Sequence, residues 1–185
     1  MILISVKPVS DAIYISIFSL ELFFVRYRGI ATKVFIIFPQ IRKWQQEGKV
    51  VIVDRYVYSN IGYQCAKIAD EEARLRLNEW ILHLEYEVNK IPRPDVSLFL
   101  DVPFAFTEKR LTEQREGDDR TYLNGATDIH EQSLSLQQRV REVYIESSKR
   151  DDELLVVDCS NEEGAMASPD EIFARIEEVI APLLK

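Results

Sequence analysis

Cysteine and histidine are almost missing from this 185-residue chain, with two of each. Cys65 and Cys159 stand far apart with nothing at metal-ligand spacing, and His83 and His130 are isolated, so no zinc site can be read. Long apolar runs are missing too. The uncharged stretch of residues 12–20 is too short to span a bilayer, and Glu21 ends it. Lys7 precedes that stretch, but no small-x-small cleavage site follows, so no export signal is expected and the thiols fit a reducing cytoplasm. Positive charge is in deficit. A net charge of −8 and a pI near 4.9 exclude nonspecific binding to nucleic acid or to an anionic membrane, both of which demand a basic surface. Glycine is scarce as well, and Gly29 is the one glycine before Gly48.

What is present is ordinary enough to fold alone: 46% apolar and 29% charged residues suit one soluble domain, residues 1–185, with a well-buried core. Composition shifts near Pro39. Residues 1–38 carry four basic and two acidic groups, while the remaining 147 carry 19 and 29. Strands are expected at residues 1–6 and 34–38, and a short helix over residues 39–47 with Pro39 in its first turn and Gly48 past its end.

Val50 to Val53 is a continuous β-branched run, the pattern of a central parallel strand covered on both faces. Asp54 and Arg55 fall at its carboxyl end, where open α/β sheets bind ligands. Taken alone, a carboxylate beside a guanidinium reads first as a structural ion pair. Tyr56, Tyr58, Ser59, Asn60, Tyr63 and Gln64 then open a helix with aromatic and hydrogen-bonding groups, a surface suited to a flat, polar, anionic ligand such as a nucleotide.

Further along, Asp70 is a candidate N-cap for a helix over residues 70–90, with Ala73, Leu77, Trp80, Ile81, Leu84 and Val88 at core spacing. Pro92 and Pro94 stop it. Residues 96–100 read as a strand ending at Asp101, which is either an N-cap or a catalytic carboxylate, before a helix over residues 104–114. Residues 115–130 mix Arg115 and Arg120 with acidic groups around Asn124-Gly125, which reads as a mobile flap or as a solvated charged loop. A helix from Asp128 to about Lys149, a last strand over residues 154–157, and a final helix capped by Ser168 and Glu171 complete the chain. Strands alternating with helices indicate an α/β fold with a doubly wound, mostly parallel sheet flanked by helices.

The run DRYVYSNIGYQ, residues 54–64, resembles the DR[YH]-x-x-S-x-x-A-[YF]-Q signature of thymidylate kinases, and RPDVSLFLDVP, residues 93–103, resembles the strand and turn that follow it there. The resemblance covers residues 39–185 and includes residues 115–130 as a lid. It implies a P-loop nucleoside monophosphate kinase fold and transfer of the γ-phosphoryl of ATP to dTMP, with Mg2+, giving dTDP. Arg55 is implied to hold the acceptor phosphate, and Asp54 to orient the acceptor and serve the magnesium site. Ser59 and Gln64 belong to the implied substrate surface, Asn60 meets the thymine edge, and Tyr63 lies under the deoxyribose, where a 2′-hydroxyl clashes. Arg115 and Arg120 become lid cations, and Gln137 matches, one residue off register, a polar position near the base. Asn161 falls in the adenine-binding loop. The plain alternative for Asn60 and Tyr63 is a helix cap and a core tyrosine. A homodimer packed through helices is also implied, although apolar stripes explain core packing equally well.

The sequence departs from that family before Pro39. No Gly-x-x-x-x-Gly-Lys-Ser/Thr phosphate loop occurs anywhere, and Val34 stands near the place of the arginine expected some twenty residues before Asp54, with Arg26 and Arg28 off register. A mistaken start, a shifted reading frame or a decayed gene would each give this pattern. The alternative to a working kinase is therefore a nucleotide-binding remnant. Deoxynucleoside kinases, a rival enzyme class, place Glu-Arg-Ser where this chain has Asp54-Arg55-Tyr56, and the Asp-Arg-Tyr form favours a monophosphate acceptor.

Overall fold

The structure, a computed structural model, describes residues 2–5, 12–16, 31–113 and 126–183. In chain order it contains β1 (Ile2–Ser5), β2 (Ala12–Ser16), α1 (Ala31–Gln46), β3 (Val50–Asp54) and α2 (Val57–Cys65). There follow α3 (Glu71–Leu82), continued by π-helical turns over His83–Val88, then β4 (Val96–Asp101), α4 (Phe104–Glu113), α5 (Ala126–Ser148), β5 (Leu154–Asp158) and α6 (Pro169–Ile180). The strands form one sheet in the order β2-β3-β1-β4-β5. β2 pairs parallel with β3 and β4 parallel with β5, whereas β1 runs antiparallel to both β3 and β4. The four outer strands therefore share a direction, which bears out the mostly parallel sheet, and β1 alone is reversed.

Strand alternation sends each strand's side chains to two cores. Val51 and Val53 of β3 pack with Ile41 of α1, Tyr58 and Ile61 of α2, Ile81 of α3, and Val140, Val143 and Tyr144 of α5. Val50 of β3, Val96 and Leu98 of β4 and Val157 of β5 face the other way, with Ile176, Val179 and Ile180 of α6 packed against them. Complete burial of a valine or leucine is worth about 1.5–3 kcal/mol, so the unbroken β-branched run of β3 is explained by a strand covered on both sides. Among the described residues no helix is long and apolar enough to cross a membrane.

The helix caps follow the sequence closely. Asp70 Oδ1 accepts from the Ala73 amide at 2.8 Å, and Ser168 and Glu171 form a complete capping box at the head of α6. Three expectations are corrected. Val34 to Phe38 lie inside α1, not in a strand, because a short continuous apolar run fits a buried helix as well as a strand. Pro39 accordingly sits in the interior of α1 rather than in a first turn. In α3, Ile81 is buried, but Trp80 and Val88 are 57% and 59% exposed and Tyr86 is buried instead. For the residues past Leu82, Tyr86 and Val88, the wider π-helical turns break the 3.6-residue phase on which the predicted stripe depended.

Candidate functional site

β3, β4 and β5 end in Asp54, Asp101 and Asp158, all at the carboxyl edge of the parallel strands. At the first of these ends the chain passes from strand to helix in two residues. Arg55 makes the corner with φ +64°, a left-handed conformation that costs a side-chain-bearing residue roughly 1–2 kcal/mol. Tyr56 anchors the corner from below. Its ring is buried, packs edge-on against Phe38 at 6.0 Å, and its hydroxyl donates to the Pro92 carbonyl at 2.7 Å. Burial pushes the Tyr56 hydroxyl well above the usual range, so it stays a neutral donor.

The corner turns Arg55 over the helix it precedes. The guanidinium carbon lies 5.4 Å from the centroid of the Tyr63 ring, a cation–π distance. The Tyr63 hydroxyl in turn accepts from Gln137 Nε2 of α5 at 3.5 Å. Three residues that the sequence left eight and seventy-four positions apart thus meet in one chain of contacts. Asn60 and Tyr63 are three apart on α2 and share a helix face, both half-buried. Ser59 is 1% exposed and points into the interior, and Gln64 is exposed and accepts from Lys67 Nζ at 3.1 Å.

The close seating of α2 on α5 makes the Gln137 contact. A Cβ at Gly62 would lie 2.8 Å from Cε2 of Tyr144, so the absence of a side chain there lets the two helices approach. Tyr144 is itself stacked on Phe99 of β4, with centroids 4.3 Å apart and planes 4° from parallel. Arg139 Nε adds a bond to the Ala66 carbonyl at 3.0 Å.

Sequence reasoning missed Arg141. One turn before Tyr144 on α5, it meets Asp101, two residues after Phe99 on β4, through Nε to Oδ1 at 2.5 Å and a second nitrogen to Oδ2 at 2.7 Å. Asp101 is therefore a paired carboxylate rather than a helix cap. Its partner lies forty residues on and could be found only from the phase of α5 against β4. The Asp158 carboxyl is held below the usual range by the hydroxyl and amide of Ser160. Asn161 Oδ1 accepts from the Glu163 and Ala165 amides at 3.0 and 2.9 Å, and Arg175 donates to the carbonyls of Asp158 and Ser160. The carboxyl end of β5 thus carries a loop tied at both sides.

Arg115 and Arg120 lie outside the described residues. Both cysteines are buried, and burial pushes their thiols up, which leaves them unreactive. Among the described residues no group of three or more histidine, cysteine, aspartate or glutamate side chains gathers where it could hold a metal.

The thymidylate kinase family model matches residues 22–168 of this chain. The probable thymidylate kinase of Pyrococcus abyssi is 30% identical over 146 residues, covering 79% of this chain and 55% of that protein. The thymidylate kinase of Mycobacterium tuberculosis is 33% identical over 97 residues, 52% of this chain and 43% of that one. This chain spans about half the length of the curated relatives it matches. Among solved structures, the thymidylate kinase of Candida albicans superposes with a TM-score of 0.59 at 18% identity, over 94% of this chain and 80% of that one. The Ehrlichia chaffeensis thymidylate kinase gives 0.51 at 14%, over 92% and 81%, and both likenesses concern the fold.

Proposed function

This chain belongs to the thymidylate kinase family, and from that premise we propose that it binds dTMP at the carboxyl end of β3 and receives the γ-phosphoryl of ATP there. The observation that carries the reading is Arg55, turned by a left-handed corner over Tyr63. Such a corner places a permanent cation at a strand end with an aromatic face beneath it, which suits the phosphate and sugar of a nucleotide. In this reading Arg55 pairs with the acceptor phosphate, Asn60 reads the thymine edge, and Tyr63 packs under the deoxyribose. Gln64 borders the ligand. Ser59, buried in α2, supports that surface from within rather than touching it.

In the transfer an oxygen of the dTMP phosphate bonds to the γ-phosphorus, and ADP leaves with the electrons of the bridging bond. The protein's contribution to such a step is positioning and charge neutralisation. Magnesium, when bound with the nucleotides, shields charge on the phosphates, and it is usually held by one or two carboxylates plus phosphate oxygens. The carboxylate of Asp54, at the end of β3, is of the kind that donor set uses. Arg115 and Arg120 would act as lid cations, and the Asn161 loop would border the adenine. Its Oδ1 is engaged by the Glu163 and Ala165 amides, so Asn161 shapes that loop. We further place the enzyme in the cytoplasm as one domain that pairs with a second copy through helices.

A second reading, an acceptor-binding chain with weak transfer, is favoured by two observations. The sequence contains no Gly-x-x-x-x-Gly-Lys-Ser/Thr. The central strand β1 is also reversed: Ile2 lies beside Asp54, and Ser5 lies beside Val51, away from that edge. Removing one preorganised donor costs about 100-fold or more in rate, and a phosphate loop supplies several. Separate calorimetric titrations with dTMP and ATP, and a coupled assay with dTMP, dGMP and dCMP, test both readings. Preference for dGMP or dCMP sinks the dTMP assignment. Binding of dTMP with no binding of ATP selects the second reading.

A further inference from the structure

We propose that Gln137 is a positioning residue for Arg55, acting through the hydroxyl of Tyr63, so that α5 sets where the cation of the acceptor corner stands. The proposal rests on the acceptor reading for its functional meaning but not for its geometry. Arg55 begins from a conformation that its backbone does not favour, with φ +64°. A guanidinium leaving such a corner has many rotamers, and the Tyr63 ring at 5.4 Å is one of the contacts that favour the observed one.

The ring is free to choose its own position only within α2. Gln137 Nε2 ties its hydroxyl to α5, and two neighbouring contacts between the same helices hold that tie in register. Gly62 lies directly beneath the Tyr144 ring, and Arg139 grips the Ala66 carbonyl at 3.0 Å. Gln137 thereby acts on the acceptor cation without having to touch the nucleotide.

The test uses the full chain and two readouts. In the free protein, the Nε–H resonance of Arg55 in a 1H–15N spectrum carries the ring-current shift of Tyr63, and Tyr63→Leu, which removes the ring, calibrates its size. Gln137→Met and Tyr63→Phe should each move that resonance toward the Tyr63→Leu position, and Gln137→Glu, which can accept from the tyrosine hydroxyl, should restore it. In titrations with dTMP, Gln137→Met and Tyr63→Phe should each weaken affinity by the same factor, at most about five-fold, because a long 3.5 Å tie transmits no more than one hydrogen bond is worth. The double variant should be no weaker than either single, because both break one link. An Arg55 resonance unmoved by Gln137→Met overturns the proposal. So does a double variant that loses the product of the two single effects, which would put Gln137 on the ligand. If the unmodified chain binds no dTMP, the acceptor reading falls, and the Arg55 resonance still decides the relay.

Discussion

Replacing Arg55 by glycine and, in a second chain, by alanine removes the same guanidinium and every contact it makes. The two variants differ by a single methyl group, at a residue with φ +64°. Alanine retains the left-handed cost of about 1–2 kcal/mol that any L side chain meets there. Glycine escapes it but gives up roughly 0.5–1 kcal/mol through the larger freedom of its unfolded chain. The balance of the two ranges leaves Arg55→Gly up to about 1.5 kcal/mol more stable than Arg55→Ala, centred near 0.5–1 kcal/mol. For a chain of this size that is a difference of about 1–4 °C in melting temperature, or a later urea midpoint at unchanged slope. Both variants should lose dTMP affinity equally, on the order of tenfold or more, since a charged hydrogen-bonding partner of the phosphate is gone. An Arg55→Ala chain more stable than Arg55→Gly would refute the claim that the corner is strained.

Gly62→Val should destabilise by about 1–3 kcal/mol in urea unfolding: its Cβ alone falls 2.8 Å from a Tyr144 ring that is backed by Phe99, and overpacking of this kind outweighs any helix-propensity gain. An unchanged midpoint would mean that the ring yields freely. Stability should also fall in acid through two depressed carboxyls, Asp158 bound by Ser160 and Glu171 bound by Ser168. A carboxyl whose folded pKa lies below its unfolded value stabilises fully above that unfolded value, about 3.8 for Asp158 and 4.5 for Glu171, and loses the contribution as pH falls further. Urea midpoints measured between about pH 5 and 3 should therefore depend less steeply on pH in Asp158→Asn and Glu171→Gln, and equal slopes would count against both assignments.

Local chemistry was read correctly wherever one element settled the matter. The β-branched run of β3, the Asp70 cap, the capping box of Ser168 and Glu171, and the aspartates closing β3 and β4 all follow from neighbours in sequence. Where two elements had to be phased against each other, the sequence was silent or misleading. Past Leu82 the π-helical turns leave Val88 in solvent and Tyr86 inside, Trp80 is exposed one turn earlier on α3, and a five-residue apolar run joined α1 because its pattern reads as helix or strand alike.

The candidate site divides along the same line. Asp54, Arg55, Asn60 and Tyr63 were legible because they lie within ten residues of a strand end, where the chain itself fixes their order and spacing. That Arg55 bends back over Tyr63, that Gln137 reaches the same ring from α5, and that Asp101 is taken by Arg141 depend on how closely α2 and β4 approach α5. That approach is set by side-chain volumes at Gly62, Tyr144 and Phe99, and packing between distant segments leaves no local pattern in a sequence. The reversal of β1 between β3 and β4 is of the same kind, since a strand's period of two is identical in either direction and only its neighbours decide which way it runs.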